Sequence, residues 1–253
     1  MEAVISANRF LDLLLCVIPA ASEDETRPYI CAVQLEVIKK DYAIRAVATD
    51  GTILSVAKRE LGFSRLGQED FEDIEAREKI TDATWLLSRI DVELLIVSLK
   101  KLGVKRKEEE DETGGRYYIA IRETPEIEVE IEGEKRVRKK QLSISILGLS
   151  HVVLEPTLVN QEYPNWKGLI PKEKAETSYI GFNLGKLALL HKCWGNENTF
   201  ISFLSQSQIT KIVRNTEDEQ KQEDFIILMP LHKNDEKDNE KLDNNQRNFF
   251  DND

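Results

Sequence analysis

Few side chains in this sequence are spaced for covalent or metal chemistry. The histidines His151, His191 and His232 have no metal-like spacing with one another or with Cys16, Cys31 and Cys193. An odd number of widely separated cysteines gives no disulfide framework and fits a reducing cytoplasm. There is no Gly-rich phosphate loop and no nucleophile motif, and an Asp beside Gly in a turn, as at Asp50-Gly51, is far more often structural than catalytic. The chain is therefore expected to be no enzyme and to need no cofactor or metal. What its residues offer is binding chemistry. Residues 46–57, AVATDGTILSVA, join two apolar runs through Thr-Asp-Gly, and residues 225–231, FIILMPL, end in an adaptable Met followed by Pro.

The elements that position these stretches follow from periodicity. With 253 residues, 41% of them hydrophobic, the chain has ample material for a core. Phe10, Leu13, Leu14, Val17 and Ile18 predict an amphipathic helix over Ile5 to Ile18, with Ser6 as N-cap and Pro19 as stop. The apolar stretch Leu11 to Ala21 contains Asp12 and is too short to span a bilayer, so no membrane association is expected. Strands are predicted at Tyr29 to Ile38, Tyr42 to Ala48 and Thr52 to Lys58, followed by a polar connector from Glu60 to Lys79. The pattern then restarts. Trp85 to Leu102 reads as the clearest helix, closed by Gly103, and strands follow at Tyr117 to Arg122, Glu126 to Ile131 and Leu142 to Leu147. The charged stretches Lys105 to Glu112 and Glu132 to Lys140 read as exposed loops, the second a hairpin around Gly133. A short strand after His151 leads into a connector bearing Pro156, Pro164 and Pro171.

A third restart has a strand at Ser178 to Phe182, a helix at Asn183 to Trp194, and strands at Thr199 to Leu204, Gln208 to Arg214 and Asp224 to Leu228. From Lys233 the chain is Asn, Asp, Glu and Lys until Phe249-Phe250, a composition expected to be disordered. The fold class is therefore α+β, built from repeated units of one helix and several antiparallel strands, with a disordered acidic C-terminal tail. Three divisions follow: residues 1–171, 172–232 and the tail 233–253.

These units, with their turn and terminal strand, resemble the bacterial DNA polymerase III beta subunit, the sliding clamp. Val47-Ala48-Thr49-Asp50-Gly51 is similar to the family's ATDG turn. Tyr163-Pro164-Asn165-Trp166 through Ile170-Pro171 is similar to its Pro-Asp-Tyr connector, Gly181-Phe182-Asn183 to its Gly-Phe-Asn, and FIILMPL to its C-terminal Met-Pro-Met strand, in the same order. Residues 1–171 resemble the family's middle domain and residues 172–232 the last half of its third; nothing here resembles its first domain. The resemblance implies a processivity factor that tethers polymerase and other partners to DNA, or alternatively a clamp-like adaptor that binds peptides without encircling DNA and regulates a complete clamp. It also implies a homo-oligomer.

Two binding surfaces follow by position. A peptide groove for polymerase and clamp-loader peptides would be lined by Thr49, Gly51, Thr52, Ile53, Leu54, Pro164, Leu169, Ile227, Met229, Pro230 and Leu231. Helix cations Arg9, Arg89, Lys100, Lys101, Lys186 and Lys192 would meet the phosphates of double-stranded DNA without reading sequence. The net charge of −11 excludes indiscriminate coating of nucleic acid but not a local basic face. Where the family has His-Arg after ATDG, this chain has Thr52-Ile53, and where it has Arg after Met-Pro-Met, this chain has His232. The groove should be more apolar as a result. The tail segment Gln246-Arg247-Asn248-Phe249-Phe250 resembles a clamp-binding peptide, a Gln followed after two residues by two bulky apolar side chains, and could fill the chain's own groove or a neighbour's.

Overall fold

The computed structural model describes residues 2–62, 80–106, 117–124, 127–131, 134–138, 141–147, 152–170, 184–195, 199–203, 210–214 and 224–228. Strand β1 (Glu2–Ser6) runs into helix α1 (Ala7–Val17), with Ser6 at the N-cap position, and a turn of 3-10 helix at Ile18–Ala20 carries Pro19. The expected helix start at Ile5 is corrected. Ile5 pairs with Ile119 in a sheet, where Ala3 and Ile5, alternating along the strand, both reach the core. Helix α1 is buried on nearly all sides, Asp12 included, so it is a core helix and not a surface one.

Strands β2 (Ala32–Ile38), β3 (Ala43–Thr49) and β4 (Ile53–Glu60) form an antiparallel meander. The expected helix over Trp85 to Leu102 divides in two. Its first turn is strand β5 (Ala83–Ser88), which pairs with β2, and only Arg89–Lys101 is helix α2. Ser88 marks the boundary, its hydroxyl accepting from the Asp91 N–H as an N-cap, and Gly103, at φ 80°, closes the helix in the left-handed conformation. Strands β6 (Tyr118–Thr124), β7 (Ile127–Ile131), β8 (Glu134–Arg138), β9 (Gln141–Leu147) and β10 (Val152–Leu154) follow. The charged stretch around residues 132–140, expected as an exposed loop in a hairpin around Gly133, does pair back as a hairpin, but its returning arm is the strand β8 (Glu134–Arg138), paired with β7. Its charged residues cannot signal a strand by apolar alternation, since a two-stranded ribbon need not bury either face.

Helix α3 (Leu184–Trp194) and strands β11 (Thr199–Phe203), β12 (Thr210–Arg214) and β13 (Phe225–Leu228) complete the described chain. The expected strand at residues 178–182 and the tail 233–253 lie outside the described residues.

The sheets exchange strands between units. One is ordered β1-β6-β9-β10, so the first strand of the first unit completes the sheet of the second. The other is ordered β11-β12-β13-β4-β3-β2-β5, so the first unit's meander is flanked by β5 of the second unit and by all three described strands of the third. Parity along these strands sorts side chains to two faces. Val33, Leu35, Ile44, Ala46, Ile53, Ala57, Ile226 and Leu228 join the principal core beneath the helices. Val47, Leu54, Val56 and Ile227 point to the opposite face.

Candidate functional site

The Thr49-Asp50-Gly51 turn is locked from within. Thr49 Oγ1 accepts from the Gly51 N–H (3.0 Å) and donates to the Ile53 carbonyl (2.7 Å). Asp50 Oδ1 accepts from the N–H groups of Thr52 (2.8 Å) and Ile53 (2.9 Å) and from the Thr52 hydroxyl (2.8 Å). Gly51 sits at φ 93°, where a side chain would strain the backbone although the space around it is open. The other oxygen of Asp50 is paired with Lys186 in the first turns of α3. Burial pushes the Asp50 carboxyl up, but Lys186 and the turn N–H groups outweigh it and hold the group below the usual carboxylate range. The turn is thereby a clasp between the first and third units.

Beside the turn, β13 pairs antiparallel with β4, Ile227 opposite Leu54 and Leu228 opposite Ile53. The connector folds over the outer face of these strands. Trp166, in a 3-10 turn at Trp166–Leu169, is buried on Val47, Leu54, Val56 and Ile227, with Tyr163, Ile170 and Phe225 packed around it. The Tyr163 hydroxyl faces the Val47 carbonyl at 3.5 Å, and burial pushes its phenol up. The Arg45 guanidinium and the Lys167 ammonium stand 5.7 Å and 5.4 Å from the Trp166 ring centre, both paired with Glu36.

Of the residues assigned by sequence to the groove, Leu54 and Ile227 lie in this patch, Pro164 and Leu169 belong to the connector that carries Trp166, and Thr49, Gly51 and Thr52 belong to the turn between β3 and β4. Ile53 turns the other way, into the principal core, because its parity on β4 is opposite to that of Leu54. Met229, Pro230 and Leu231 lie outside the described residues. Trp166 and Tyr163 were legible as part of the connector, but nothing in their spacing showed that they, and not Pro164 alone, would cap the strands.

The cations assigned to the helix face are unequal. Arg89 donates to the Ala21 carbonyl (2.6 Å) and pairs with Glu23 (3.1 Å) and Glu93 (2.8 Å). Lys186 is held by Asp50. Lys100, Lys101 and Lys192 are exposed and Arg9 is half-buried.

A third cluster has no counterpart among the sequence expectations. Arg59, buried, donates to Asp12 (2.9 and 2.5 Å) and to Asp224 (2.7 and 2.8 Å). Arg214 bonds Asp224 (3.0 Å), and Arg106 bonds Asp12 (2.5 Å) and the Cys193 carbonyl. Cys16 lies among them, its Sγ 3.2 Å from Arg106. Although burial alone would push Asp12 up, the three guanidiniums hold it far below the ordinary carboxylate range. Burial and the two carboxylates push the Cys16 thiol up, and burial pushes Cys193 up to about 12. The cluster joins α1, β4, β12 and the residue before β13 to the segment after α2 and to α3. Arg106, expected in an exposed loop, is thus a tie to the core. Two signals pointed this way: Asp12 stands within an otherwise apolar helix, and Arg59 continues the inward parity of Ile53, Ser55 and Ala57.

Among the described residues no group of His, Cys, Asp and Glu could hold a metal ion, and no helix is long and apolar enough to cross a membrane.

No protein-family model and no curated protein matches the sequence. Solved structures do match. The DNA polymerase III beta subunit of Thermotoga maritima superposes with a TM-score of 0.61 at 14% identity, covering 91% of this chain and 65% of that one. The beta subunit of Pseudomonas aeruginosa gives 0.58 at 13% identity, with 91% and 66% covered, and the beta chain of Streptococcus pneumoniae 0.59 at 13%, with 91% and 64%. The chain therefore has the α+β fold of these clamp subunits and spans about 65% of the length of the first.

Proposed function

We propose that this chain acts as a sliding-clamp-like processivity factor that tethers a polymerase and other partners to DNA by binding their peptides on the outer face of β4 and β13. The reading rests above all on one observation, the β4–β13 pairing, which gathers the Thr-Asp-Gly turn, the Trp166 connector and the strand leading to Met229-Pro230 into one patch. Leu54 and Ile227 are buried under Trp166 beside a fixed turn, and a peptide presenting two bulky apolar side chains would bind by packing against or displacing this aromatic cover. The role is topological and electrostatic, with no catalytic step. By this reading the chain works inside the cell as a homo-oligomer around double-stranded DNA, held by Lys100, Lys101, Lys192 and Arg9 through phosphates.

A second reading, a clamp-like adaptor that binds such peptides without encircling DNA, draws support from the helix face, where Arg89 and Lys186 are already paired with carboxylates. Retention on circular DNA in the presence of a clamp loader separates the two. Release on linearising the circle supports the clamp; peptide binding with equal retention on circular and linear DNA supports the adaptor. Failure to bind a peptide carrying Gln and two bulky apolar residues removes both.

A further inference from the structure

The surface shared by the end of α1, the Ile18–Ala20 turn, α2 and α3 carries exposed apolar side chains among its cations. Helix α2 turns Val92, Leu95, Ile96 and Leu99 inward and leaves Ile90, Leu94 and Val97 at 60%, 54% and 45% exposure. Their spacing of four and three places them on one stripe. The stripe runs into a cavity of about 440 Å³ whose apolar lining includes Leu15, Ile18, Val97 and Leu189 and whose charged lining carries both signs. A volume of this order accepts two aromatic rings.

We propose that this cavity is the docking site of the chain's own Phe249-Phe250. Three observations carry the assignment. After His232 the only bulky apolar residues are Leu242 and this Phe pair, so the tail has one segment able to fill an apolar site. The reach is sufficient: β13 ends at Leu228 beside Ile53, on the strand against which the Ile18–Ala20 turn packs. About 20 residues separate Leu228 from Phe249, and as a flexible chain they span roughly 25 Å. Tethering then gives an effective concentration on the order of mM, enough to fill a site of modest intrinsic affinity. The charges also agree: of the four charged residues lining the cavity, Arg89 is paired with Glu23 and Glu93, which leaves Lys192, with Lys100 and Lys101 at the end of α2, to face Asp251 and Asp253 after the Phe pair. The docked tail lies on the helix face and not on the patch around Trp166, so the assignment stands independently of the peptide-binding reading, and on that face it would compete with DNA for Lys100, Lys101 and Lys192.

Hydrogen exchange on the full chain tests it, comparing the parent with the double variant F249D/F250D. The expected result is about tenfold faster exchange over residues 90–97 in the variant, the loss of a site about nine-tenths filled at that effective concentration. V97E, a change at an exposed position with the tail intact, should give the same acceleration. Faster exchange confined to residues 163–170 and 225–228 would place the Phe pair on the outer patch and overturn the assignment, as would no change anywhere. Protection of residues 90–97 that fades on dilution would place the tail in a neighbour's cavity and overturn the intramolecular form.

Discussion

Replacing Asp224 by Asn is the sharpest probe of how the third unit is held. The carboxylate is fully buried and accepts from Arg59 through both oxygens, from Arg214 at 3.0 Å and from the Lys58 N–H at 3.1 Å. Asn has nearly the same size, so no cavity opens. Whichever oxygen becomes the amide nitrogen, however, faces at least one guanidinium N–H, a donor against a donor. Within the cluster, three guanidiniums against two carboxylates leave one excess positive charge, and the substitution leaves two. Breaking a buried ion pair from one side costs about 3–5 kcal/mol, which in a chain of this size corresponds to a melting-temperature drop of roughly 6–20 °C. Urea unfolding read by far-ultraviolet circular dichroism and by tryptophan fluorescence gives the free energy. Because Trp194 neighbours Cys193 in the third unit, the two probes should separate in the variant if that unit is released first. A loss below about 1 kcal/mol, with coincident probes, would refute the claim that the cluster fastens the third unit.

Three further outcomes are expected. D50N should lose about 1 kcal/mol at neutral pH; since the folded Asp50 is held below its unfolded value, the stabilisation is present above the unfolded carboxylate range and fades as pH falls through it, so its loss is complete only once pH passes the lower folded value, and parent and variant should converge only well below about pH 4 in acid-titrated unfolding curves. W166A should weaken binding of a Gln-containing peptide with two bulky apolar residues by about tenfold or more in fluorescence anisotropy, while W166F retains most of it. Of the three thiols, Cys31 should react first with an alkylating agent at mildly alkaline pH, and Cys16 and Cys193, buried with raised pKa, only at the rate of unfolding, as counted by mass spectrometry.

The alternation of Val47 to Val56 and the Asp-Gly turn made the β3–β4 hairpin readable, and the restarts of helix and strands exposed the repeated unit. Strand exchange between units left no such trace. Nothing in Glu2–Ser6 or Ala83–Ser88 says that each strand pairs outside its own unit, because periodicity reports which face is buried and not which neighbour buries it. For β5 the error was one of period: Trp85 and Leu87 fit a helix as readily as a strand until Ser88 is recognised as a cap. The clasp between Asp50 and Lys186 was hidden for the same reason, as a pairing across more than a hundred residues has no local signature, and a Lys on a helix face reads as solvated.

The seven-stranded sheet also sets an order of events during synthesis. Strand β4 leaves the ribosome about 165 residues before β13, the strand that covers its free edge. At roughly 5–20 residues per second this is on the order of ten seconds. Through that interval the nascent chain presents an unpaired strand edge, with Leu54 and Val56 lacking their outer cover until Trp166 emerges and Arg59 lacking Asp224 to the end. An open edge of this kind is a template for pairing with another chain. Early truncation of the polypeptide therefore yields an aggregation-prone fragment and not a smaller folded domain.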